Sequence, residues 1–566
     1  MTDLWWKNAV VYQIYPRSFA DSDGDGMGDL RGVIDHLDHL AELGVDVLWM
    51  SPIYASPQDD NGYDISDYQA IDPLFGDLET FGELLSGAHA RGMKLIMDLV
   101  VNHSSDEHPW FVESRSSRDN PKRDWYWWRP ARDGMEPGAP GAEPTNWGAA
   151  FGGPAWAFDE ATGEYYLHLF SPKQPDLNWE NPEVRQAVYA MMRWWLDRGV
   201  DGFRMDVINM ISKDPALPDG RLTAGSAYGD GSAAYINGPR NHEFLHEMYE
   251  QVFAGRKEML TVGEMPGVTV AEAIRFTAQD RREVDMVFQF DHVWADRGAD
   301  SWQLIPLKLT TLKAIFGRWQ AGLAEVGWNS LYWNNHDQPR VVSRYGDDRP
   351  EFRAASAKML GTVLHLHRGT PYVYQGEEIG MTNYPFRSIA DFRDIEALGQ
   401  YTQAVDLEGR SPEDVLTVLR ARGRDNARTP MQWNDSEHAG FTTGAPWLAV
   451  NPNYPQVNAA AERADPDSVF HYYRRLIELR HTEPAVVDGD FTMLLPDDER
   501  LYAFTRRLGP TELLVIGNFT GEAVRAEIDD AAAWSGAELV LTNLPAPEDL
   551  TLAPWQAVVY RRTVSR

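Results

Sequence analysis

Eight short apolar segments, separated by stretches with helical periodicity, constrain the fold of this chain more than any other feature. They occupy residues 9–16, 45–52, 94–101, 201–207, 259–265, 286–290, 330–335 and 371–377. Their β-branched and aromatic residues favour buried strands, and the stretches between them favour helices, for example at 30–43, 81–91, 182–198 and 351–366. Strands that alternate with helices build a parallel sheet, which either closes into a (β/α)8 barrel or stays open and doubly wound.

Polar residues at the ends of these strands favour the barrel. Carboxylate or imidazole groups follow the third, fourth, fifth and seventh strands, at Asp98, His103, Asp206, Glu264 and Asp337. The carboxyl ends of barrel strands form one ring around one site, whereas those of an open sheet lie along an edge. We therefore predict an α/β protein with a (β/α)8 TIM barrel as its core.

Three stretches do not fit the alternation of strands and helices. Residues 104–175 are rich in Trp, Pro and Gly, which predicts an inserted lobe over the barrel mouth after the third strand. Residues 378–465 form a second, polar excursion, and alternating strands over 487–566 predict a C-terminal antiparallel β-sandwich domain. The barrel is then expected in two parts, 1–103 and 176–486, with the excursion as a subdomain of the second part.

The composition excludes several classes of function. The net charge of −33 argues against nucleic acid and against an anionic membrane surface as partners. There is no cysteine, which excludes disulfides and thiol chemistry. The N-terminal residues lack the pattern of a signal peptide, and no stretch approaches ~20 apolar residues. We expect a cytoplasmic monomer or weak homo-oligomer that acts on a small molecule without an organic cofactor.

Asp206 and Glu264 are suited to act as the pair of carboxyl groups that retaining glycoside hydrolysis requires. That reaction needs an ionised nucleophile and a protonated acid roughly 5–5.5 Å apart, and these two residues end neighbouring strands. Asp337 adds a third acid, and repulsion among three carboxylates raises the pKa of at least one of them. Arg204 lies two residues before Asp206, so both side chains point to the same side of the strand.

Each of these groups also has a purely structural interpretation. A buried Asp–Arg pair is structural more often than catalytic, and a histidine at a strand end is usually a satisfied polar group. The argument for catalysis rests on convergence, because the ends of four separate strands together supply five suitable groups. His103 and His336 are then suited to hydrogen-bond sugar hydroxyls near the bond that is cut.

Four segments resemble the signature motifs of the α-amylase family of glycoside hydrolases and occur in the family's order. They are Asp98-Leu-Val-Val-Asn-His103, Gly202-Phe-Arg-Met-Asp206, Val262-Gly-Glu264 and Asn335-His-Asp337. The resemblance covers nearly the whole chain. It implies that Asp206 is the nucleophile, Glu264 the acid/base and Asp337 a stabiliser of the transition state. His103, Arg204 and His336 would surround the bound glucose.

The same resemblance implies the other substrate contacts. Tyr63 and Asp64 of the NGYDISDY segment and Arg424 of RDNARTPMQW would bind the terminal glucose, with an Asp–Arg clamp closing the pocket. The pocket wall would include Phe170 and Gln174, joined by Phe151.

Two features are similar to the oligo-1,6-glucosidase branch of the family. One is the pair of segments at 174–178 (QPDLN) and RTPMQW. The other is Val207 after the nucleophile, since valine at this place accompanies α-1,6 bonds in relatives. The resemblance therefore implies a retaining, exo-acting α-glucosidase that prefers α-1,6 linkages such as that of isomaltose.

Three alternatives stay open within the resemblance. Sucrose isomerases and trehalose-forming relatives pass glucose to a sugar instead of water, but this chain departs from two isomerase motifs, at 294–298 (WADRG) and 334–338 (NNHDQ). Trehalose-6-phosphate hydrolase would need a basic patch beside the leaving group. A non-catalytic, transporter-associated binding protein of the same family would lack the catalytic acids, and all three are present here.

The loop over residues 21–29 resembles the start of an EF-hand. Acids stand at positions one, three, five and nine with glycine at six, but position twelve is Gly32 instead of Glu and the loop follows a strand. A solvated acidic loop is the alternative. Relatives hold Ca²⁺ here, which implies a structural ion with five ligands: the carboxylates of Asp21, Asp23, Asp25 and Asp29 and the carbonyl of Met27.

Overall fold

Eight parallel strands form the core of the protein. The structure is a computed structural model that describes residues 4–223, 225–298 and 302–564. The strands are β1 (Val11–Ile14), β2 (Val47–Met50), β3 (Lys94–Leu99), β4 (Gly202–Met205), β5 (Leu260–Glu264), β6 (Met286–Phe288), β7 (Ser330–Leu331) and β8 (Thr370–Tyr374). Each overlaps one of the eight predicted segments, so the strand predictions are confirmed.

The pairing of these strands is that of a closed barrel. The sheet runs in the order β6, β5, β4, β3, β2, β1, β8 and β7, and all of its ladders are parallel. An isolated parallel bridge between Val287 and Asn329 joins β6 to the residue before β7 and closes the ring. Every residue of β1, β2, β4, β5 and β8 is buried, as expected for strands covered on both faces.

Helices fill the connections and cover the barrel. The main ones are Leu30–Asp35, Leu37–Leu43, Leu78–Ala90, Pro182–Leu196, Asn241–Met248, Val270–Thr277, Leu309–Gly322 and Arg353–His365. Asp29, Asp77 and Asn181 cap three of them by accepting a backbone N–H of the first turn. The single helix predicted over 30–43 is two helices, because the backbone leaves helical geometry at His36 (φ −110°, ψ 8°).

An inserted lobe follows β3, where the sequence predicts one. It contains the helix Pro109–Ser116 and a three-stranded antiparallel sheet of Trp128–Arg129, Glu164–Leu167 and Trp156–Asp159. An antiparallel bridge between His103 and Asp176 joins the two ends of the lobe where it leaves and re-enters the barrel. Trp147 and Trp156 are buried in one apolar cluster with Val207, the residue after the predicted nucleophile. The lobe therefore packs over the mouth of the barrel.

The chain after β8 forms the second excursion and a C-terminal β-domain. The excursion carries the helices Ile395–Thr402, Pro412–Arg422, Asp425–Arg428 and Ala459–Ala464, and the helix Val469–Thr482 follows it. A five-stranded antiparallel sheet comes last, in the order Asp490–Leu494, Leu501–Leu508, Thr511–Asn518, Ala557–Thr563 and Glu538–Thr542. The predicted C-terminal antiparallel domain is thus confirmed. Within the described ranges, no helix has the length and apolarity needed to cross a bilayer.

Candidate active site

Arg204 is the centre of the first charged cluster, at the carboxyl end of the barrel. Its guanidinium lies 2.8 Å from Asp98, 2.8 Å from Asp206 and 2.5 Å from Glu264. The three acids belong to the ends of β3, β4 and β5, which are adjacent in the sheet. The parallel register of these strands therefore places three carboxyl groups around one cation.

Asp206 and Glu264 share this guanidinium. Arg204 Nη1 donates to Asp206 Oδ1, and Nη2 pairs with Glu264 Oε1. The backbone N–H of Val207 donates to the other oxygen of Glu264 at 3.2 Å. Val207 has a left-handed backbone (φ 34°, ψ 40°), which is costly for a β-branched residue. The two predicted catalytic acids thus lie side by side in one site, and a strained turn links them.

The surroundings of these two acids give them different protonation states. Burial raises the pKa of Glu264 to about 8, which Arg204 opposes and the charges of Asp206 and Asp337 reinforce. Glu264 is therefore protonated at neutral pH. Burial also raises the pKa of Asp206, to about 7, although the charge and hydrogen bond of Arg204 oppose this rise, so Asp206 loses its proton before Glu264 does. Because two like charges this close disfavour each other, we assign the proton to Glu264 and the charge to Asp206.

Arg424 is the centre of a second charged cluster, whose members lie outside the strands of the barrel. Its guanidinium pairs with four carboxylates: Asp60 at 3.1 Å, Asp337 at 3.3 Å, Glu396 at 3.0 Å and Asp394. Arg428, one helical turn further on, lies 2.8 Å from Asp337 and 3.4 Å from Asp394. Asp337 therefore lies between two guanidinium groups.

Asp337 is ionised because of these neighbours. Burial alone would raise its pKa, but His336, Arg424 and Arg428 lower the pKa of Asp337 well below its usual range. His336 Nε2 lies 3.1 Å from Asp337 Oδ2, and the His336 ring stacks on Tyr63 at 5.1 Å. Burial lowers the pKa of His336 to about 3, so this imidazole is neutral at pH 7. The site thus offers a permanent negative charge beside an aromatic surface.

Of the acids in the loop after β2, Asp60 and not the expected Asp64 pairs with Arg424. Asp64 is fully buried, and its oxygens accept the backbone N–H groups of Asp59 at 2.8 Å and Asp60 at 3.0 Å. Asp64 therefore shapes the loop that presents Asp60 to Arg424. We call the Asp60–Arg424 ion pair the clamp.

His103 and Gln174 stand beside the clamp, as the sequence predicts. His103 Nε2 lies 3.2 Å from the carbonyl oxygen of Tyr63 and 3.3 Å from Gln174 Nε2. Gln174 also donates to Asp60 Oδ2 at 3.1 Å. Burial lowers the pKa of His103 to about 4, so it is a neutral hydrogen-bonding group.

Phe170 and Phe151 form an aromatic wall next to these polar groups. The Phe170 ring lies 5.1 Å from the His103 ring and 5.5 Å from the Phe151 ring. The Phe151 ring lies 4.7 Å from the guanidinium carbon of Arg424, which is a cation–π contact. Phe151 thus belongs to the same surroundings as the clamp.

Sequence reasoning missed Asp60, Asp394, Glu396 and Arg428. Arg428 lies in the same RDNARTPMQW segment as Arg424, and the helical spacing of four was a usable signal. Asp60 stands in a run of two acids just before NGYD. Asp394 and Glu396 lie in the polar excursion without a motif, so only the fold reveals them.

A cavity of about 600 Å³ leads to the site between the lobe and the second excursion. It is lined by Asp337 and Arg424, whereas Asp206 and Glu264, which are 7% and 5% exposed, do not line it. The cavity is balanced in charge. Four guanidinium groups (Arg297, Arg410, Arg422 and Arg424) face four carboxylates (Asp337, Asp394, Glu396 and Glu408).

The acidic loop before the helix Leu30–Asp35 forms a cluster of its own. Carboxylate oxygens of Asp21, Asp23 and Asp29 lie within 4.8 Å of one another, so one cation can contact all three. Asp25 is outside this group, and its carboxylate accepts the N–H of Met27 at 2.7 Å. A set of oxygen ligands of this kind fits a hard cation such as Ca²⁺.

Comparison with known proteins identifies the family. Residues 13–489 match the family described as Alpha amylase, catalytic domain. The chain is 55% identical over 567 residues to an oligo-1,6-glucosidase of Parageobacillus thermoglucosidasius, covering 99% of each chain. It is 50% identical to a trehalose-6-phosphate hydrolase of Bacillus subtilis (strain 168), covering 99% of this chain and 98% of the relative.

Solved structures agree with this assignment. The trehalose-6-phosphate hydrolase of Bacillus licheniformis superposes with a TM-score of 0.91 at 47% identity, covering 99% of this chain and 100% of the other. The trehalulose synthase of Pseudomonas mesoacidophila MX-45 gives 0.91 at 45% identity, covering 98% and 99%. The resemblance seen in the sequence is confirmed: the chain belongs to the α-amylase family of glycoside hydrolases.

Proposed function

We propose that the protein is a retaining, exo-acting α-glucosidase that releases terminal glucose from short α-1,6-linked glucosides, of which isomaltose is the simplest. The observation that carries this proposal is the sharing of the Arg204 guanidinium by Asp206 and Glu264. This contact supports the proposal because double displacement requires one ionised and one protonated carboxyl group in the same site.

The reaction follows from these protonation states. Asp206 attacks the anomeric carbon of the terminal glucose while Glu264 gives its proton to the glycosidic oxygen, so the bond to the leaving sugar breaks. Water then attacks the glucosyl–Asp206 ester, gives a proton to Glu264 and frees glucose and the Asp206 carboxylate. The negative charge of Asp337 stabilises the positive charge that develops on the sugar ring in both transition states.

The clamp supports exo action. Asp60 and Arg424 are buried, and their ion pair joins the loop after β2 to the second excursion. A charged pair of this kind suits the hydroxyl groups of a terminal glucose, since both partners form strong hydrogen bonds. The pair also joins two separate segments of the chain at this point, which supports a pocket that ends at the terminal glucose.

The leaving-sugar side supports a neutral substrate. The cavity that leads to Asp337 has equal numbers of guanidinium and carboxylate groups. It offers no net positive charge to a phosphate group, which argues against trehalose 6-phosphate as the preferred substrate. Val207, at the junction of nucleophile and lobe, and the oligo-1,6-glucosidase relatives support an α-1,6 linkage.

The test is product analysis with five substrates: isomaltose, maltose, sucrose, trehalose and trehalose 6-phosphate. We expect isomaltose to be cleaved with the highest kcat/KM, and the glucose released to carry the α configuration at first. Preferred cleavage of maltose or of trehalose 6-phosphate would overturn the proposed preference for α-1,6 linkages. Accumulation of glucose–fructose isomers from sucrose would identify an isomerase, and release of β-glucose would overturn retention.

We also propose a structural Ca²⁺ at the acidic loop, with Asp21, Asp23 and Asp29 as its carboxylate ligands. The support is the clustering of their oxygens, and Asp25 and the Met27 carbonyl stay predictions from the sequence. A cytoplasmic location and a monomeric or weakly associated state are likewise predictions from the sequence.

A further inference from the structure

The lobe and the second excursion meet through a backbone contact at Gly399. This glycine lies within the helix Ile395–Thr402 and faces the backbone of Phe151 in the lobe. A Cβ atom at position 399 would lie 2.1 Å from the carbonyl oxygen of Phe151, far inside contact distance. Glycine weakens a helix compared with alanine, so its presence here goes with the close approach of the two segments.

Two glutamines of the same segment bind the lobe on either side of this contact. Gln400 Nε2 donates to the carbonyl oxygen of Ala150 at 3.2 Å, and Gln403 Oε1 accepts the N–H of Gly153 at 3.0 Å. The amide of Gln403 is itself held by Glu408 at 3.0 Å. Gln403 begins a π-helical segment, Gln403–Leu407, and such segments often occur at functional sites. The backbone on both sides of Phe151 is thus fixed by one helical segment.

This segment also determines the surroundings of the clamp. Asp394, the residue that caps the helix, pairs with Arg424. The Phe151 ring lies against the same guanidinium at 4.7 Å and is only 8% exposed. The helix therefore holds both a charge and an aromatic ring in place on one side of the glucose pocket.

We propose that Gly399 is a positioning residue for glucose binding. Because it has no side chain, the helix can dock on the backbone of Phe151, and this docking holds the Phe151 ring against Arg424. The inference deepens the proposed function, because it concerns the pocket that would bind the terminal glucose. It predicts that a side chain at position 399 weakens glucose binding without disabling the catalytic acids.

The first experiment compares Gly399→Ala with Gly82→Ala in hydrolysis of an aryl α-glucoside. Gly82 also lies within a helix, Leu78–Ala90, and a Cβ atom there would meet nothing within 4 Å. We expect KM to rise about tenfold in Gly399→Ala with kcat within about twofold of wild type, since the loss is in binding. Gly82→Ala is expected to match wild type in both constants. A wild-type KM in folded Gly399→Ala would overturn the proposal.

The second experiment tests whether Gly399 acts through Phe151. Both Phe151→Ala and Gly399→Ala are expected to raise KM, and the double variant is expected to be no worse than Phe151→Ala alone. Residues that act through one contact show such non-additivity, whereas independent ones add. Additive effects would contradict the proposed route and leave Gly399 a purely structural residue.

A third variant keeps the proposal testable if Gly399→Ala does not fold. Gln403→Ala removes the hydrogen bonds to Gly153 and Glu408 but adds no clash with Phe151, and it is expected to raise KM about threefold, with kcat unchanged. A wild-type KM in Gln403→Ala would then count against the proposal. The aryl substrate also separates the two proposals, because a failure of the wild type to cleave isomaltose would affect the linkage and not the role of Gly399.

Discussion

The two arginine-centred clusters of the site contain the same kinds of group, but the pKa of Glu264 in the first is raised and the pKa of Asp337 in the second is lowered. Around Arg204, one guanidinium serves three acids, and Glu264 has a raised pKa and keeps its proton. Around Asp337, two guanidinium groups converge on one acid, and its pKa is lowered. Burial raises the pKa of both acids, and only at Asp337 do the cationic side chains in contact with the carboxylate overcome that rise. Glu264 in the first cluster holds a proton that it can donate to the leaving group, and Asp337 in the second holds a negative charge that stabilises the transition state.

The largest effects are expected when the acids of the Arg204 cluster are substituted, which tests whether this cluster carries the two catalytic acids. We expect Asp206→Ala to lower kcat by at least about 1000-fold, because the nucleophile is lost. Glu264→Gln should lower kcat by a similar factor on isomaltose but less on an aryl α-glucoside, whose leaving group needs less help from an acid. Steady-state kinetics with both substrates measures this, and circular dichroism controls for folding. Equal losses on the two substrates would argue against Glu264 as the acid.

The second test concerns the clamp and compares Asp60 with Asp64. We expect Asp60→Asn to raise KM about 10- to 100-fold with a smaller change in kcat, since a charged hydrogen bond to the substrate is lost. The matched variant Asp64→Asn should instead lower thermal stability, because Asp64 bonds two backbone N–H groups. Steady-state kinetics and melting temperatures of both variants decide which of the two acids binds the substrate. The reverse pattern would restore Asp64 as the binding residue.

The third test uses pH to compare the two protonation states. Glu264 must be protonated and Asp206 ionised, so kcat/KM should be highest between about pH 7 and 8 and fall about tenfold per pH unit on either side. Asp337 adds no loss of its own until the pH is far below the usual range for aspartate, so the acid-side decline reports on Asp206. Residual aryl-glucoside hydrolysis by Glu264→Gln should lack the alkaline decline. An unchanged decline in that variant would assign it to another group.

The smallest expected effect comes from the acidic loop, which belongs to neither cluster. Removal of Ca²⁺ with a chelator should lower the melting temperature by a few degrees, because a ligand that binds only the folded state stabilises it. Both kinetic constants at 25 °C should stay unchanged. Asp23→Ala should show the lower melting temperature without a chelator and no response to added Ca²⁺. A loss of kcat on chelation would mean that the ion also supports one of the clusters.

Strand residues were predictable and loop residues were not, for a physical reason. In a strand, alternation fixes which side chains share a face, so Arg204 and Asp206 could be placed together from their spacing alone. A loop has no such period, and of the acids at positions 59, 60 and 64 only the fold shows that Asp60 faces Arg424. Asp394 and Glu396 lie in a polar stretch without periodicity and were not foreseen.

Backbone geometry also limited what could be predicted from the sequence. The break at His36 and the left-handed turn at Val207 left no trace in the hydrophobic pattern, because neither position holds glycine or proline. The contact between Gly399 and Phe151 joins residues about 250 positions apart along the chain. Close approaches of this kind depend on the completed fold and not on local sequence.

The charge of Asp206 has a consequence for the second half of the reaction. It is one of the influences that keep the pKa of Glu264 high. Once Asp206 is esterified by the sugar, that charge is gone, and Glu264 becomes a stronger acid that sheds its proton more readily. Having lost its proton to the departing sugar, it is then left as the carboxylate that water needs as a base. Formation of the covalent intermediate therefore changes Glu264 from a proton donor into a proton acceptor, because the charge of Asp206 is lost. This change requires no rearrangement of the chain.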